Sequence, residues 1–232
     1  MCLGEMVMED RIAIDHCPFC QCELESNGDR CPECQMSLHG RKLVDWEICH
    51  LIGNNEIIIE PLIIDKNREL IDAGYGPGGI DLRLDTIFKE FRPMNESSVD
   101  PQRKRRDEDI YRLIELDISD SAKPDEYILH PGEFVLGQSL EYIVLPNCIA
   151  GQLDGRSSYG RFGVTIHNTA CTVDQGFRGH LAFEMSNSGK LPVRLLPTQR
   201  VARLSFHLTN SCQNLYKGKY QLQVRVKPPV PD

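Results

Sequence analysis

Beyond residue 57 the apolar positions fall in short runs. These are Ile57-Ile58-Ile59, Ile80-Asp81-Leu82-Arg83-Leu84, Phe134 to Leu145, Ile149 to Leu153, Leu181 to Met185, Val193 to Leu196 and Val201 to Leu208. Gly, Pro and Asn punctuate them, so each run reads as a strand. Many short strands without helices between them predict a mainly β barrel or sandwich. One earlier stretch differs. Leu43, Val44, Trp46, Ile48, Leu51 and Ile52 recur at three-to-four spacing, which predicts a short helix with Asp45 as N-cap and Gly53 as stop. The charge-dense stretch from Met94 to Asp109 predicts an exposed, mobile loop. Its basic run Arg103 to Arg106 either meets an anion or, beside its acidic neighbours, is a solvated face. Pro228-Pro229-Val230-Pro231 is extended and cannot join a central strand. There is no internal repeat.

Composition narrows the function classes. The chain has 232 residues, 26 Lys and Arg against 34 Asp and Glu, and a formal net charge of -8. Such a balance argues against a general polyanion binder, whose affinity rests on cations neutralising phosphates. A single nucleotide needs only a local cluster of donors. No apolar run approaches the ~20 residues that span a bilayer. Met1 to Asp15 lacks the basic-then-apolar pattern of a signal peptide, so the expectation is a cytoplasmic protein with no membrane partner.

The 10 cysteines divide into two kinds. Cys2, Cys22, Cys49, Cys148, Cys171 and Cys212 are scattered. Cys17-Pro18-Phe19-Cys20 and Cys31-Pro32-Glu33-Cys34 are paired knuckles separated by a polar loop with Asn27-Gly28 as a hairpin turn. Four thiolates at that spacing close a tetrahedron on Zn2+. Residues 1–40 are therefore expected to form a small zinc ribbon ahead of a domain spanning 41–232, with Cys22 a bystander. Zinc nucleobase deaminases need a His-x-Glu element, and His16 and His39 have no Glu at that offset. A site closed by four Cys leaves no position for water, so this zinc is read as structural.

Two segments carry candidate chemistry. Gly155-Arg156-Ser157-Ser158-Tyr159-Gly160-Arg161 concentrates guanidiniums, hydroxyls and glycines. Arg offers a planar fork, Ser a compact donor, and Gly lets backbone amides approach an oxyanion. The same composition also suits a turn with surface arginines. Glu184 is a carboxylate within the apolar strand Leu181-Ala182-Phe183-Glu184-Met185. Alternation points it either at solvent or into a pocket, and in a pocket it is equipped for general acid–base work.

Several motifs resemble the dCTP deaminase family of the dUTPase-like superfamily. They are Gly79-Ile80-Asp81-Leu82-Arg83-Leu84, Pro131 to Gly137 with Leu140 to Ile143, Gly155 to Arg161, and Thr169-Ala170 with Asp174. Glu184 with Asn187-Ser188-Gly189-Lys190-Leu191-Pro192, and Lys219-Tyr220-Gln221-Leu222-Gln223, complete the set. The similarity runs from about Leu43 to Gln223. It implies a homotrimer of a distorted, jelly-roll-like β-barrel with active sites at subunit interfaces. The implied reaction is deamination of dCTP to dUTP and ammonia, with Mg2+ accompanying the triphosphate. Glu184 resembles the base that activates water for attack at C4 and passes the proton to the departing ammonia. Ser157, Arg161 and the Ala170 carbonyl resemble the groups that position the water and that carboxylate. Arg156, Ser158, Lys219 and Gln223 match triphosphate contacts, with Tyr216 a looser match. Asp174 matches the deoxyribose ligand, and is expected from the chain neighbouring the one that supplies Glu184. Ala182 and Phe183 are expected to line the base.

The sequence also departs from the family pattern. Cys171-Thr172 matches neither the usual monofunctional nor the usual bifunctional pair, so further cleavage to dUMP and pyrophosphate stays open, with the Lys-Tyr-Gln-x-Gln tail leaning towards it. Pro197-Thr198-Gln199 replaces a Pro-Gly turn, losing a residue that tolerates positive φ. Arg203 stands where relatives carry Gln or a small residue. Two other readings share much of this pattern: a dUTP pyrophosphatase, and a non-catalytic nucleotide-binding regulatory protein whose ribbon contacts protein or nucleic acid. Glu184, and the absence of a Gly-rich, Phe-containing C-terminal arm, argue against the first, and Ser157, Arg161 and Glu184 together argue against the second.

Overall fold

The computed structural model describes residues 22–23, 31–33, 40–62, 75–92, 98–100, 102 and 106–227. The chain is mainly β. Its strands are β1 (Arg41–Lys42), β2 (Ile58–Glu60), β3 (Tyr75–Gly76), β4 (Gly79–Arg83), β5 (Ile87–Phe91), β6 (Tyr111–Glu115) and β7 (Tyr127–Leu129). After these come β8 (Phe134–Val144), β9 (Ile149–Gly155), β10 (Val164–Thr165), β11 (Thr172–Val173), β12 (Arg178–Asn187), β13 (Val193–Leu195) and β14 (Arg200–Leu208). Three helical pieces, α1 (Asp45–Gly53), α2 (Asp107–Ile110) and α3 (Ser157–Gly160), lie between them.

Two antiparallel sheets share one core. The first runs β11-β9-β14-β4-β3 with β1 on β14, and the second runs β10-β12-β8-β5-β6 with β2 on β8. Phe88, Phe183, Phe206, Ile80, Leu82, Leu84, Ile143 and Leu145 are fully buried between them. The sheets meet at the Leu84–Ser139 bridge. Beside it, Arg83 Nε donates to Glu141 Oε1 at 2.6 Å and Arg83 N–H to Glu141 Oε2 at 2.9 Å. Burial pushes the Glu141 carboxyl up, while the hydrogen bonds and charge of Arg83 pull it down less strongly.

All the expected strand runs appear, each within a residue or a few of its expected bounds. The helix appears too, but its cap differs. Val44 precedes it in extended conformation, and Asp45 is its first residue. Glu47 Oε2 accepts the Val44 N–H at 3.0 Å, and Arg41 grips the same carboxylate at 2.8 and 2.5 Å. The carboxylate one turn in thus reaches back to the N–H of the residue that precedes the helix, while Asp45 Oδ1 accepts the Trp46 N–H at 2.8 Å inside the first turn. Ile48, Leu51 and Ile52 are buried against the core. Strands β5 and β6 have no counterpart among the expected runs, because Lys89, Glu90 and Arg112 interrupt their apolar pattern. Within the segment expected as a loop, Asp107–Ile110 forms one helical turn. Arg106 there pairs with Asp109 at 2.8 Å, which fits a solvated face. Arg103 to Arg105, the tail Pro228 to Pro231 and the ribbon ligands Cys17, Cys20 and Cys34 lie outside the described residues. Among the described residues no helix is long and apolar enough to cross a membrane.

The turn that replaces Pro-Gly keeps its left-handed conformation without a glycine. Thr198 has φ 67°. It is held there because its N–H donates to Leu84 O at 2.7 Å while Leu84 N–H donates to Gln199 O at 2.9 Å. A β-branched residue in that region is strained. Thr198→Gly should therefore raise unfolding stability by about 1 kcal/mol in denaturant melts. Unchanged or lower stability would contradict the assignment of strain to this residue.

Candidate active site

Alternation along β12 sets the site. Its odd-numbered residues enter the core, and His180, Ala182, Glu184 and Ser186 face outward. Phe183, expected to line the base, is 0% exposed and belongs to the core; only its backbone borders the outer face. Outward-facing Ala182 and Glu184 form one wall of a cavity of about 450 Å³. The segment Ala170 to Asp174 forms a second wall, and Tyr216, Tyr220, Gln223 and Lys227 of the C-terminal strap form a third. Phe91, Tyr111 and Phe134 close one end, with Phe91 against Tyr111 at 4.6 Å and against Phe134 at 5.9 Å between ring centroids.

Glu184 is half-buried, and its Oε2 accepts the Asn168 N–H at 3.1 Å. The Asn168 side chain is fixed in turn. Its Oδ1 accepts from Thr165 Oγ1 at 3.2 Å, and Thr165 Oγ1 lies 2.6 Å from Ser186 Oγ. This network sets the loop carrying Ala170 against the carboxylate. His167 also lines the cavity, and its Nδ1 is buried without a hydrogen-bond partner among the described residues. His180 Nδ1 lies 2.9 Å from Ser139 O. A carbonyl can only accept, so Nδ1 carries a proton.

The strap is bonded to the start of β12. Leu222 N–H donates to Arg178 O at 2.7 Å, and His180 N–H to Gln223 O at 2.9 Å. Gln223, expected as a triphosphate contact, spends both ends of its amide within the chain. Its Nε2 donates to His180 O at 3.1 Å and its Oε1 accepts the Lys227 N–H at 3.2 Å. Buried Gln138 on β8 completes the attachment: Oε1 accepts the Val226 N–H at 2.6 Å, and Nε2 donates to Asp85 Oδ2 at 2.7 Å.

Of the expected site residues, Ala170, Asp174, Ala182, Glu184, Tyr216 and Gln223 line this one cavity. Asp174, expected from the chain neighbouring the one that supplies Glu184, lines the cavity together with Glu184 within one chain. Arg156, Ser157, Ser158, Arg161 and Lys219 do not line it. The first four lie on or beside α3, where Ser157, Ser158 and Arg161 are exposed. Lys219 is exposed on the strap, its carbonyl accepting from Lys227 Nζ at 3.1 Å. The α3 segment is itself held rigidly. Arg156 N–H donates to Val201 O at 3.0 Å, Arg156 Nη1 to Arg200 O at 3.1 Å, and Tyr159 Oη to Gln199 Oε1 at 2.7 Å. Burial pushes the Tyr159 hydroxyl up, against the nearby Arg156 charge. His167, His180 and Lys227 were missed. His180 was legible, standing four residues before Glu184 on an alternating strand; Lys227 left no local signal.

Comparison with known proteins places this geometry. Residues 42–209 match the dCTP deaminase-like family model. A "dCTP deaminase, dUMP-forming" of Corynebacterium kroppenstedtii is 42% identical over 155 residues, covering 62% of this chain and 79% of that protein. Another of the same description, from Halobacterium salinarum, is 38% identical over 186 residues, covering 78% and 90%. The crystal structure of 2'-deoxycytidine 5'-triphosphate deaminase from Agrobacterium tumefaciens shares the fold, with a TM-score of 0.53 at 20% identity. The match covers 73% of this chain and 48% of that one, so this chain spans about half its length.

The strap geometry makes a prediction of its own. Gln138→Met keeps the side-chain length and removes the amide. Each lost hydrogen bond is worth about 1 kcal/mol net, so amide exchange at Leu222 and Val226 should accelerate on the order of tenfold. Exchange along β12 at Phe183 and Met185 should not change. Equal acceleration in both places would show that Gln138 supports the whole fold and not the strap.

Proposed function

This chain belongs to the dCTP deaminase-like family, and on that premise we propose that it converts dCTP to dUMP, with release of ammonia and pyrophosphate. The single observation carrying the reading is Glu184 facing a cavity, hydrogen-bonded to the loop that bears Ala170. Pure binding needs no such carboxylate. Glu184 takes a proton from water as the oxygen attacks C4 of cytosine, then delivers it to the departing amino group. A second water attacks the α phosphorus, and the bond from that phosphorus to the α–β bridging oxygen breaks as pyrophosphate leaves, so one dCTP and two waters give dUMP, ammonia and pyrophosphate. Mg2+ arrives with the triphosphate as part of the substrate. Asp174 holds the deoxyribose, and Ala182 with the Phe183 backbone borders the base.

Ser157 and Arg161, which position the water and the carboxylate, and Arg156 and Ser158, which contact phosphate, come from a neighbouring copy in a homotrimer. Supporting this, none of the four lines the cavity that holds Glu184 within one chain. Placing two chains together also creates a closed cleft under closed symmetry. Tyr216, Lys219 and Gln223 reach the phosphates from the strap; for Gln223 this requires exchanging its internal hydrogen bonds. The enzyme is assigned to the cytoplasm, with its nucleotide substrates.

Residues 1–40 form a separate ribbon in which Cys17, Cys20, Cys31 and Cys34 hold a structural Zn2+. Of the four, Cys31 is described. It is fully buried, and its Sγ lies 3.3 Å from Cys22 Sγ, so Cys22 stands closer to the ligand set than a bystander would. Thiolates paired at this spacing suit zinc, which would cross-link the segment without entering the reaction. Metal analysis should find about one zinc per chain, retained in Cys22→Ser and lost in Cys34→Ser. Loss in Cys22→Ser and retention in Cys34→Ser would reassign the ligand.

Glu184→Gln keeps the shape of the side chain and cannot accept a proton. It should lower dCTP turnover by roughly 10²-fold or more and leave dCTP affinity near that of the unaltered protein. A variant with most of its turnover intact would remove Glu184 from the role of base.

A further inference from the structure

The outer face of the first sheet carries a carboxylate whose environment has no purely structural account. Asp81 projects outward from β4 with its side chain only 11% exposed. Its Oδ1 is buried with no hydrogen-bond partner among the described residues. Leaving a buried acceptor unsatisfied costs free energy that a smaller or apolar residue would avoid. In register it stands opposite Arg203 of β14, yet no ion pair joins those two among the described residues. The Arg203 guanidinium turns instead to Gly79, where Nη2 donates to the carbonyl at 3.3 Å. It lies over Gly76, where any Cβ would collide with it. Asp81 Oδ2 serves another cation: Arg156 Nε is 3.1 Å away.

We propose that Asp81 is the positioning residue that aims Arg156 at the phosphates of the nucleotide. This rests on the reading of Arg156 as a phosphate contact. The guanidinium has five N–H donors in a fixed plane. Asp81 fixes its Nε edge and Arg200 O fixes Nη1 at 3.1 Å, while the Arg156 backbone N–H is held by Val201 O. The arginine is thus anchored by main chain and side chain to β4 and β14, with its remaining donors unpartnered among the described residues. Two effects of the carboxylate oppose each other. It cancels part of the Arg156 charge, which weakens attraction to phosphate. It also removes the cost of ordering a long side chain when substrate arrives, and in a charge pair this close the fixed geometry is what makes bidentate phosphate recognition possible. Orientation is the larger effect in this arrangement, because Asp81 has no other ion-pair partner among the described residues and holds Arg156 against β4.

A double-mutant cycle on the full-length protein tests this, with steady-state dCTP turnover as the readout. Asp81→Ala should raise KM about 3- to 10-fold while kcat changes by less than about twofold, and Asp81→Asn should recover part of the loss because its amide oxygen still accepts. In an Arg156→Ala background, Asp81→Ala should add nothing further. If Asp81→Ala costs as much there as in the unaltered protein, or lowers KM, the positioning role is wrong. If Arg156→Ala itself leaves KM unchanged, the phosphate reading of Arg156 fails first and takes the proposal with it. Should Asp81→Ala fail to fold, Asp81→Asn carries the same cycle: a KM rise that vanishes in the Arg156→Ala background supports the role, and one that persists overturns it.

Discussion

The ion pair between Arg83 and Glu141 ties the two sheets together, and the site depends on their relative setting. Glu141 is 2% exposed on β8, and Arg83 at the end of β4 reaches it by both backbone and side chain, with Nη2 also on Pro61 O at 2.6 Å. A buried pair of this kind contributes little net stability, because desolvation offsets the attraction, yet removing one partner leaves a charge that costs roughly 3–5 kcal/mol. The direction of the Glu141 shift agrees. Burial raises its pKa above the usual 4.5, so its titration favours the fold below that value and disfavours it as pH rises through the shifted one. What the pair supplies is register. A one-residue slip of β8 would move Glu141 off Arg83 and send every side chain of the strand to the opposite face.

Register matters because the chemistry lies outside the barrel. Glu184 stands opposite Leu136 of β8, and Ser186 opposite Phe134. The outer face of the second sheet thus becomes a floor for a small second cluster of Ile87, Tyr111, Leu136 and Val226. Val226 comes from the strap, which Gln138 and Gln223 bond to the sheet. The first sheet uses its own outer face differently, presenting Arg156 from a base of Asp81 and the Gln199 to Val201 backbone. One core therefore holds a carboxylate on one sheet and a guanidinium on the other.

Much of this was legible in the sequence where local physics decides. Period-2 runs gave β8, β9, β12 and β14, and the carboxylate inside the run at Glu184 stood out as a candidate while its direction, to solvent or to a pocket, stayed open. Where pairing partners decide, the sequence was opaque. β5 buries Lys89 to 7% exposure, against the usual meaning of a lysine, at a position flanked in register by Leu113 and Leu136. Phe183 looked like a base-lining residue until strand parity put it in the core. Asp174, expected as a neighbour's ligand, follows β11 and lines the same cavity as Glu184 within one chain. Gln138 acts through a contact with Val226, 88 positions away in the chain, and no local pattern announces such a contact. The left-handed turn at Thr198 was foreseen as a loss; the backbone bonds to Leu84 that enforce it could be seen only in three dimensions.

The central claim is that one cavity performs both the deamination and the removal of pyrophosphate. It is tested most directly by supplying the full-length protein with dCTP and Mg2+ and resolving ammonia, dUTP, dUMP and pyrophosphate in the same time course. The account predicts ammonia, dUMP and pyrophosphate rising together in equal amounts, with no accumulation of free dUTP. Ammonia matched by dUTP without pyrophosphate would contradict the second step, and pyrophosphate release without ammonia would contradict the first.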